Sequence, residues 1–195
     1  MSSDGSNQAS WLNKPLCRRY IASTFEVASF KCGAAGAIRK RQVEWAFGWL
    51  PDGECEGLGA WLRTEPERTY GAALVDDLKI RGVERLLTVA GTAPGEVPAA
   101  FCGRTPRASI DRLLAQALEA SDRHGLPSPN RITEEIAGSL DRAIRRHGAF
   151  DDEAAAVDFI ASALQRAERR LDRERLALTR HLPLASSVRP MLLAL

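Results

Sequence analysis

The chain has 195 residues, 45% hydrophobic and 27% charged, with 27 basic and 25 acidic side chains for a formal net charge of +2. Its length suits one compact domain with tails, its charge density is too high for a membrane protein, and no apolar run approaches the roughly 20 residues that a spanning helix needs. Cys17, Cys32, Cys55 and Cys102 are widely separated, with no Cys-x-x-Cys pair and no nearby histidine, so neither a zinc site nor a disulfide framework is expected.

Residues 1–12, beginning MSSDGSNQAS, carry no periodic apolar pattern to offset the entropy of ordering, and a disordered tail is expected. The stretch also lacks a basic region followed by an apolar core; with free thiols, the expectation is a cytoplasmic protein. Before Gln42, the basic residues Lys14, Arg18, Arg19, Lys31, Arg39, Lys40 and Arg41 face only Asp4 and Glu26. Such a segment neutralises phosphates and releases counterions on nucleic acid, and is equally compatible with a solvated tail. The run Arg39–Arg41 is too short to specify a nucleic-acid module.

From Val43 the pattern alternates. Val43, Trp45, Phe47 and Trp49 share one face, the turn Pro51-Asp52-Gly53 follows, and a second extended run from Cys55 to Trp61 completes a predicted hairpin. Tyr70, Leu74 and Leu78 predict a helix stopped at Gly82, where a residue without Cβ takes the left-handed closing conformation. Val83–Ala90 carries successive apolar residues, which predicts a central strand covered on both faces. Ser109 is a candidate N-cap for a helix with Ile110, Leu113, Leu114, Ala117 and Leu118 in one stripe, ending before Gly125 and Pro127. Thr133, followed by Glu134 and Glu135, predicts the start of another helix, with Ile136, Leu140 and Ile144 at four-residue spacing up to Gly148. Asp151 or Asp152 caps a last long helix whose buried face holds Val157, Ile160, Ala161, Leu164 and Leu171. Beyond about Arg180 the pattern is lost and a frayed tail is expected.

Residues Leu74–Phe101 read LVDDLKIRGVERLLTVAGTAPGEVPAAF. A helix ending Leu78-Lys79, Arg81-Gly82, then the strand Val83–Val89, then Pro98–Phe101, resembles the catalytic core of mutator-type insertion-sequence transposases. Where that family has Asp-Gly, this chain has Thr92-Ala93. Further on, Ser139–Arg146 (SLDRAIRR) resembles the stretch after the family's third acid and puts Gly138 in the glutamate's place. A three-residue shift would use Glu135 but would break the match of the helix that follows. His147–Leu171, with ALQRAER at Ala163–Arg169, resembles the family's closing helix. The resemblance covers about Val43 to Leu171 and is interrupted, because residues 102–132 fill an interval that holds a larger helical insertion in the family. Cys102 and His124 are a weak match to the Cys and His of that insertion.

The resemblance implies an α/β chain: a partial RNase H-like mixed sheet with helices over 13–101, a helical segment over 102–180 and a tail over 181–195. In the family, two Asp and one Glu hold two Mg²⁺ ions about 4 Å apart, which activate the attacking oxygen and stabilise the leaving one. Here the strand before the hairpin has no Asp, its only acid being Glu26, and Thr92 and Gly138 stand at the other two positions. The expectation is a transposase-like protein of a mobile element, a catalytically inactive remnant that needs no metal or cofactor. It retains DNA binding through Arg39, Lys40, Arg41, Arg142, Arg145 and Arg146. The alternative is a helical dimerisation protein that modulates a full-length transposase, as a homo-oligomer or as that enzyme's partner. A live enzyme would have to assemble Glu26, Asp76 and Glu135.

Plainer readings accompany these residues. Asp76 and Asp77 point about 100° apart on a helix and cannot by themselves clamp one ion. Trp45 and Trp49 fit a half-buried strand face better than a base-stacking platform. Arg142, Arg145, Arg146, Arg166, Arg169, Arg170 and Arg173 alternate with Asp141, Asp158, Glu168, Asp172 and Glu174 at spacings that allow a salt-bridged exterior. His147, next to Gly148, is expected to meet the last helical carbonyls or solvent.

Overall fold

Aromatic and β-branched residues at alternate positions build the centre of the molecule. The computed structural model describes residues 11–33, 37–64, 67–103, 112, 115 and 128–179. Strands β1 (Arg19–Tyr20) and β2 (Ala22–Cys32) lead into β3 (Arg39–Trp49) and β4 (Cys55–Leu62). β2 and β3 pair antiparallel without a slip from Ala22–Trp49 to Cys32–Arg39. The hairpin between β3 and β4 forms as expected: Gly53 has φ 83° and Asp52 Oδ1 accepts from Glu54 N at 3.0 Å. A bulge between Ala46 and Phe47 adds Leu58 to β4, where that side chain is fully buried.

Helix α1 (Glu67–Ile80) follows and closes at Gly82, with φ 105° and its N–H on Lys79 O. Val83–Ala90 is not the expected central strand. It divides into β5 (Arg85–Leu86), parallel to β1, and β6 (Val89–Gly91), parallel to β2, and the described sheet order β4-β3-β2-β6 leaves it on an edge. Its apolar residues divide between the two faces: Val83 and Leu86 are buried under α1, Leu87 packs against the opposite core, and Ala90 is exposed. Thr88 sits at the break, its hydroxyl donating to Ile21 O at 2.9 Å.

A short helix α2 (Glu96–Phe101) precedes α3 (Pro129–His147), strand β7 (Ala149–Phe150) and α4 (Glu153–Thr179). The α/β class, with a mixed sheet and a C-terminal helical segment, is as expected. α3 starts four residues before Thr133, because Ser128 is the N-cap and Pro129 supplies the first helical residue. Thr133 lies inside the helix and donates to Pro129 O at 2.9 Å. Asp152 caps α4 by accepting from Ala155 N at 2.7 Å. The tails 1–10 and 180–195 and, apart from Arg112 and Ala115, the helix expected from Ser109 lie outside the described residues, as does His124.

The sheet separates two cores. Val43, Trp45, Phe47 and Trp49 face α3 and α4, and their burial fits the strand-face reading of the tryptophans. Phe25, Ala46 and Leu58 face α1 and α2. Trp11, assigned from sequence to the disordered tail, belongs to the first core. It is buried, and its indole N–H donates to Glu168 Oε2 at 2.5 Å. Lys14 Nζ reaches Glu168 Oε1 at 2.5 Å and Glu56 at 3.4 Å, and Gly57 N donates to Glu168 Oε1 at 3.0 Å. Glu168 is therefore not part of a solvated exterior: it lies one turn beyond Leu164 on the buried stripe of α4.

Replacing Glu168 with Ala strands a buried indole N–H, a backbone N–H and an ammonium together. The expected loss is about 3 kcal/mol, or roughly 6–12 °C in Tm for a domain of this size. Thermal denaturation of Glu168→Ala checks this, and a loss below about 1 kcal/mol contradicts it.

Candidate functional site

The C-terminal end of β6 meets the middle of β2. Gly91, with φ 85°, is in register with Phe25, and a Cβ at Gly91 would collide with the Phe25 carbonyl oxygen and lie 3.2 Å from Glu26 Oε1. Only glycine allows this approach. The next residue, Thr92, gives both its donors to Phe25 O: the backbone N–H at 2.7 Å and the hydroxyl at 3.2 Å. The Thr92 hydroxyl proton thus holds the loop on the strand, and the Glu26 carboxylate stands beside that loop.

α3 runs along the same face of β2. Thr24 and Thr133 hydroxyls are 3.0 Å apart; since the Thr133 proton goes to Pro129 O, Thr24 is the donor. At the far end, β7 pairs with Lys31 and Cys32. Helix and strand therefore run in the same direction. Two strand residues advance about 7 Å and four to five helical residues about 6–7.5 Å, so Ala137–Gly138 pass at the level of Glu26, which shares the face of Thr24. Gly138 offers no donor group, and the nearest side-chain atom to a Cβ there is Arg142 Nη1 at 3.4 Å.

Geometry brings Glu26 and the Thr92 loop together and matches Gly138 to them only in height, because Gly138 lies about half a turn around α3 from the buried Ile136 and Leu140, on the helix face turned from β2. It does not bring together Glu26, Asp76 and Glu135. Asp76 is exposed on α1, which packs on the opposite face of the sheet, and Glu135 is exposed on α3. Asp77, the other member of the acidic pair, accepts from Trp61 Nε1 at 3.0 Å and lies 3.3 Å from Arg81 Nη1, which gives it a structural partner on each side.

Two hard divalent ions require several anionic oxygens. Near Glu26 the donors are three threonine hydroxyls already committed to hydrogen bonds. This donor set does not fit a two-metal centre. Among the described residues no group of three His, Cys, Asp or Glu side chains is placed to hold a metal ion. Nucleophilic thiol chemistry is also disfavoured: burial pushes the thiols of Cys17, Cys55 and Cys102 above the ordinary cysteine value.

The basic residues are divided between two places. On the outer half of the β2–β3 hairpin, Lys31 stands opposite Lys40, and Arg39 opposite Cys32. β7 carries the end of α3, with Arg145 and Arg146, to the same side of the sheet. Arg41 is tied to Glu153 at 2.6 Å and Arg145 to Asp141 at 3.4 Å, whereas Lys31, Arg39, Lys40 and Arg146 are exposed. His147 is exposed to solvent, one of the two expected settings, and its ring also stacks on Phe150, with centroids 4.0 Å apart and planes 8° from parallel, which pins α3 to β7. No protein-family model matches the chain, and no curated protein matches it.

Burial raises the Glu26 carboxyl above the ordinary value. A raised folded-state pKa favours the protonated acid in the fold. Stability from this group is present below the unfolded value of about 4.3 and is lost as pH rises through the folded value. Glu26→Gln removes that loss. The variant is expected to match the wild type in Tm at pH 3 and to exceed it at pH 7; a variant less stable at pH 7 would mean that the carboxylate holds a cation or donor there.

Proposed function

We propose that this chain is a catalytically silent relative of the mutator-type transposases that contacts nucleic-acid backbone through the outer end of its β2–β3 hairpin. The observation that carries the proposal is the composition of the Glu26 corner. One half-buried carboxylate stands beside Thr92, and Gly138, where the resemblance asks for the third acid, carries no donor group. Two cations have too few anionic oxygens to bind there, so activation of a water or a strand end by paired metals has no basis in this corner.

Backbone binding is supported by separate residues. Lys31 and Lys40 are like charges brought side by side on one face by strand register, an arrangement that costs energy unless an anion offsets it, and Arg39 stands next to them on the opposite face. Contacts of this kind go to phosphates and carry no sequence information of their own. The dimerising reading has less to stand on. Among the described residues the exposed large apolar side chains are Ile38, Ile80 and Leu176, on three separate parts of the chain.

Incubation with supercoiled plasmid or duplex DNA and Mg²⁺ or Mn²⁺ is expected to give no nicked or joined product above the protein-free background. Duplex binding is expected to weaken with salt at a log–log slope of about −3, as for three to four phosphate contacts. Lys31→Glu combined with Lys40→Glu should reduce that slope by about 2. Metal-dependent product refutes the silent-enzyme reading, and salt-independent binding refutes the backbone contact.

A further inference from the structure

Between α3 and α4 lies a notch of about 240 Å³ that takes no part in the Glu26 corner. Its floor is apolar and built from small residues, with Leu140 and Ala143 from one helix and Ala163 and Ala167 from the other. Its rim carries Arg146, Arg166 and Arg170, and among the described residues no acidic side chain lines it. The Arg170 Nε–H is shielded from solvent and finds no hydrogen-bond acceptor among the described residues, Glu174 Oε1 standing 3.7 Å away. Arg142, Arg169 and Arg173 are exposed on the same two helices.

Size and charge together select an occupant. Pockets for drug-sized molecules run to roughly 300–1,000 Å³, and this one is smaller, the size of one or two aliphatic side chains. A nucleic-acid backbone has charge for the rim but no apolar group for the floor. An amphipathic acidic peptide has both: an aliphatic anchor to displace water from the alanine floor, and carboxylates for the planar guanidinium donors. We propose that the α3–α4 notch docks an acidic peptide segment of a partner protein, a leucine-type side chain seated between Ala143, Ala163 and Ala167 and its flanking carboxylates bridged by Arg146, Arg166 and Arg170. This goes beyond the nucleic-acid reading, which rests on the hairpin end.

The probe is a fluorescein-labelled helical peptide with leucines along one face and glutamates on the flanks. It is titrated into the full-length protein at low salt and mapped by amide chemical-shift changes. Changes are expected on α3 and α4. At least a tenfold loss of affinity is expected for the same peptide with its leucines replaced by serine, and likewise for the exposed charge reversals Arg146→Glu with Arg166→Glu. Ala163→Leu, which fills the floor and leaves the arginines in place, is also expected to lose at least tenfold. Circular dichroism confirms that each variant is folded. No shifts at millimolar peptide, equal affinity for the serine peptide, or displacement from these residues by duplex DNA at lower concentration would each overturn the proposal.

Discussion

Glu168 is a buried carboxylate on which three distant segments converge. Its oxygens accept from the Trp11 indole and the Gly57 amide and pair with Lys14, which joins the N-terminal segment, the β4 strand and α4 at one point. A carboxylate in such a place is tolerated because each lone pair that leaves water finds a donor. The geometry also explains Gly57, where a Cβ would strike the Trp11 ring. Arg81 repeats the device beneath it. Its buried guanidinium donates to Lys14 O at 3.0 Å and Leu58 O at 2.5 Å, while its own carbonyl accepts from Leu16 N at 2.8 Å. The segment from Trp11 to Leu16 is therefore held by two buried charges of opposite sign, and the bulged strand β4 is the surface both of them grip.

Where periodicity governs, the sequence was readable. The alternation from Val43 to Trp49, the Gly53 turn, the Gly82 stop and the stripes on α3 and α4 all appear where the pattern places them. Misreadings fall where a tertiary partner decides. Glu168 follows Leu164 by four residues and precedes Leu171 by three, so its spacing put it on the buried face; its charge hid that until Trp11, Lys14 and Gly57 were known. Val83–Ala90 is two-sided, with Leu87 against the opposite core from Val83 and Leu86, but it lies on an edge of the described sheet and breaks at Thr88, which bonds to Ile21. Ser128-Pro129 is a cap signal obscured by the neighbouring Pro127, and Thr133, taken for the cap, instead bonds to Thr24 across the core. β2 itself mixes Ser, Glu and Lys and showed no strand pattern; a strand there was expected only from the family resemblance.

At the candidate site, Thr92 and Gly138 were marked only by the resemblance, and the structure shows their neighbours. Thr92 spends its hydroxyl on the Phe25 carbonyl, Thr24 and Thr133 link strand to helix, and Arg142 overlies Gly138. In a metal-binding centre these positions would set like charges against one another until cations arrived. With neutral hydroxyls there, the same corner closes by hydrogen bonding and needs no cation to offset repulsion.

On the function proposed above, the Glu26 corner seats no pair of divalent ions. Anomalous diffraction from crystals soaked in millimolar manganese tests it directly. The prediction is no pair of peaks beside Glu26, Thr92 and Gly138. Two manganese ions about 4 Å apart, with Glu26 oxygens in their coordination shells, would contradict it.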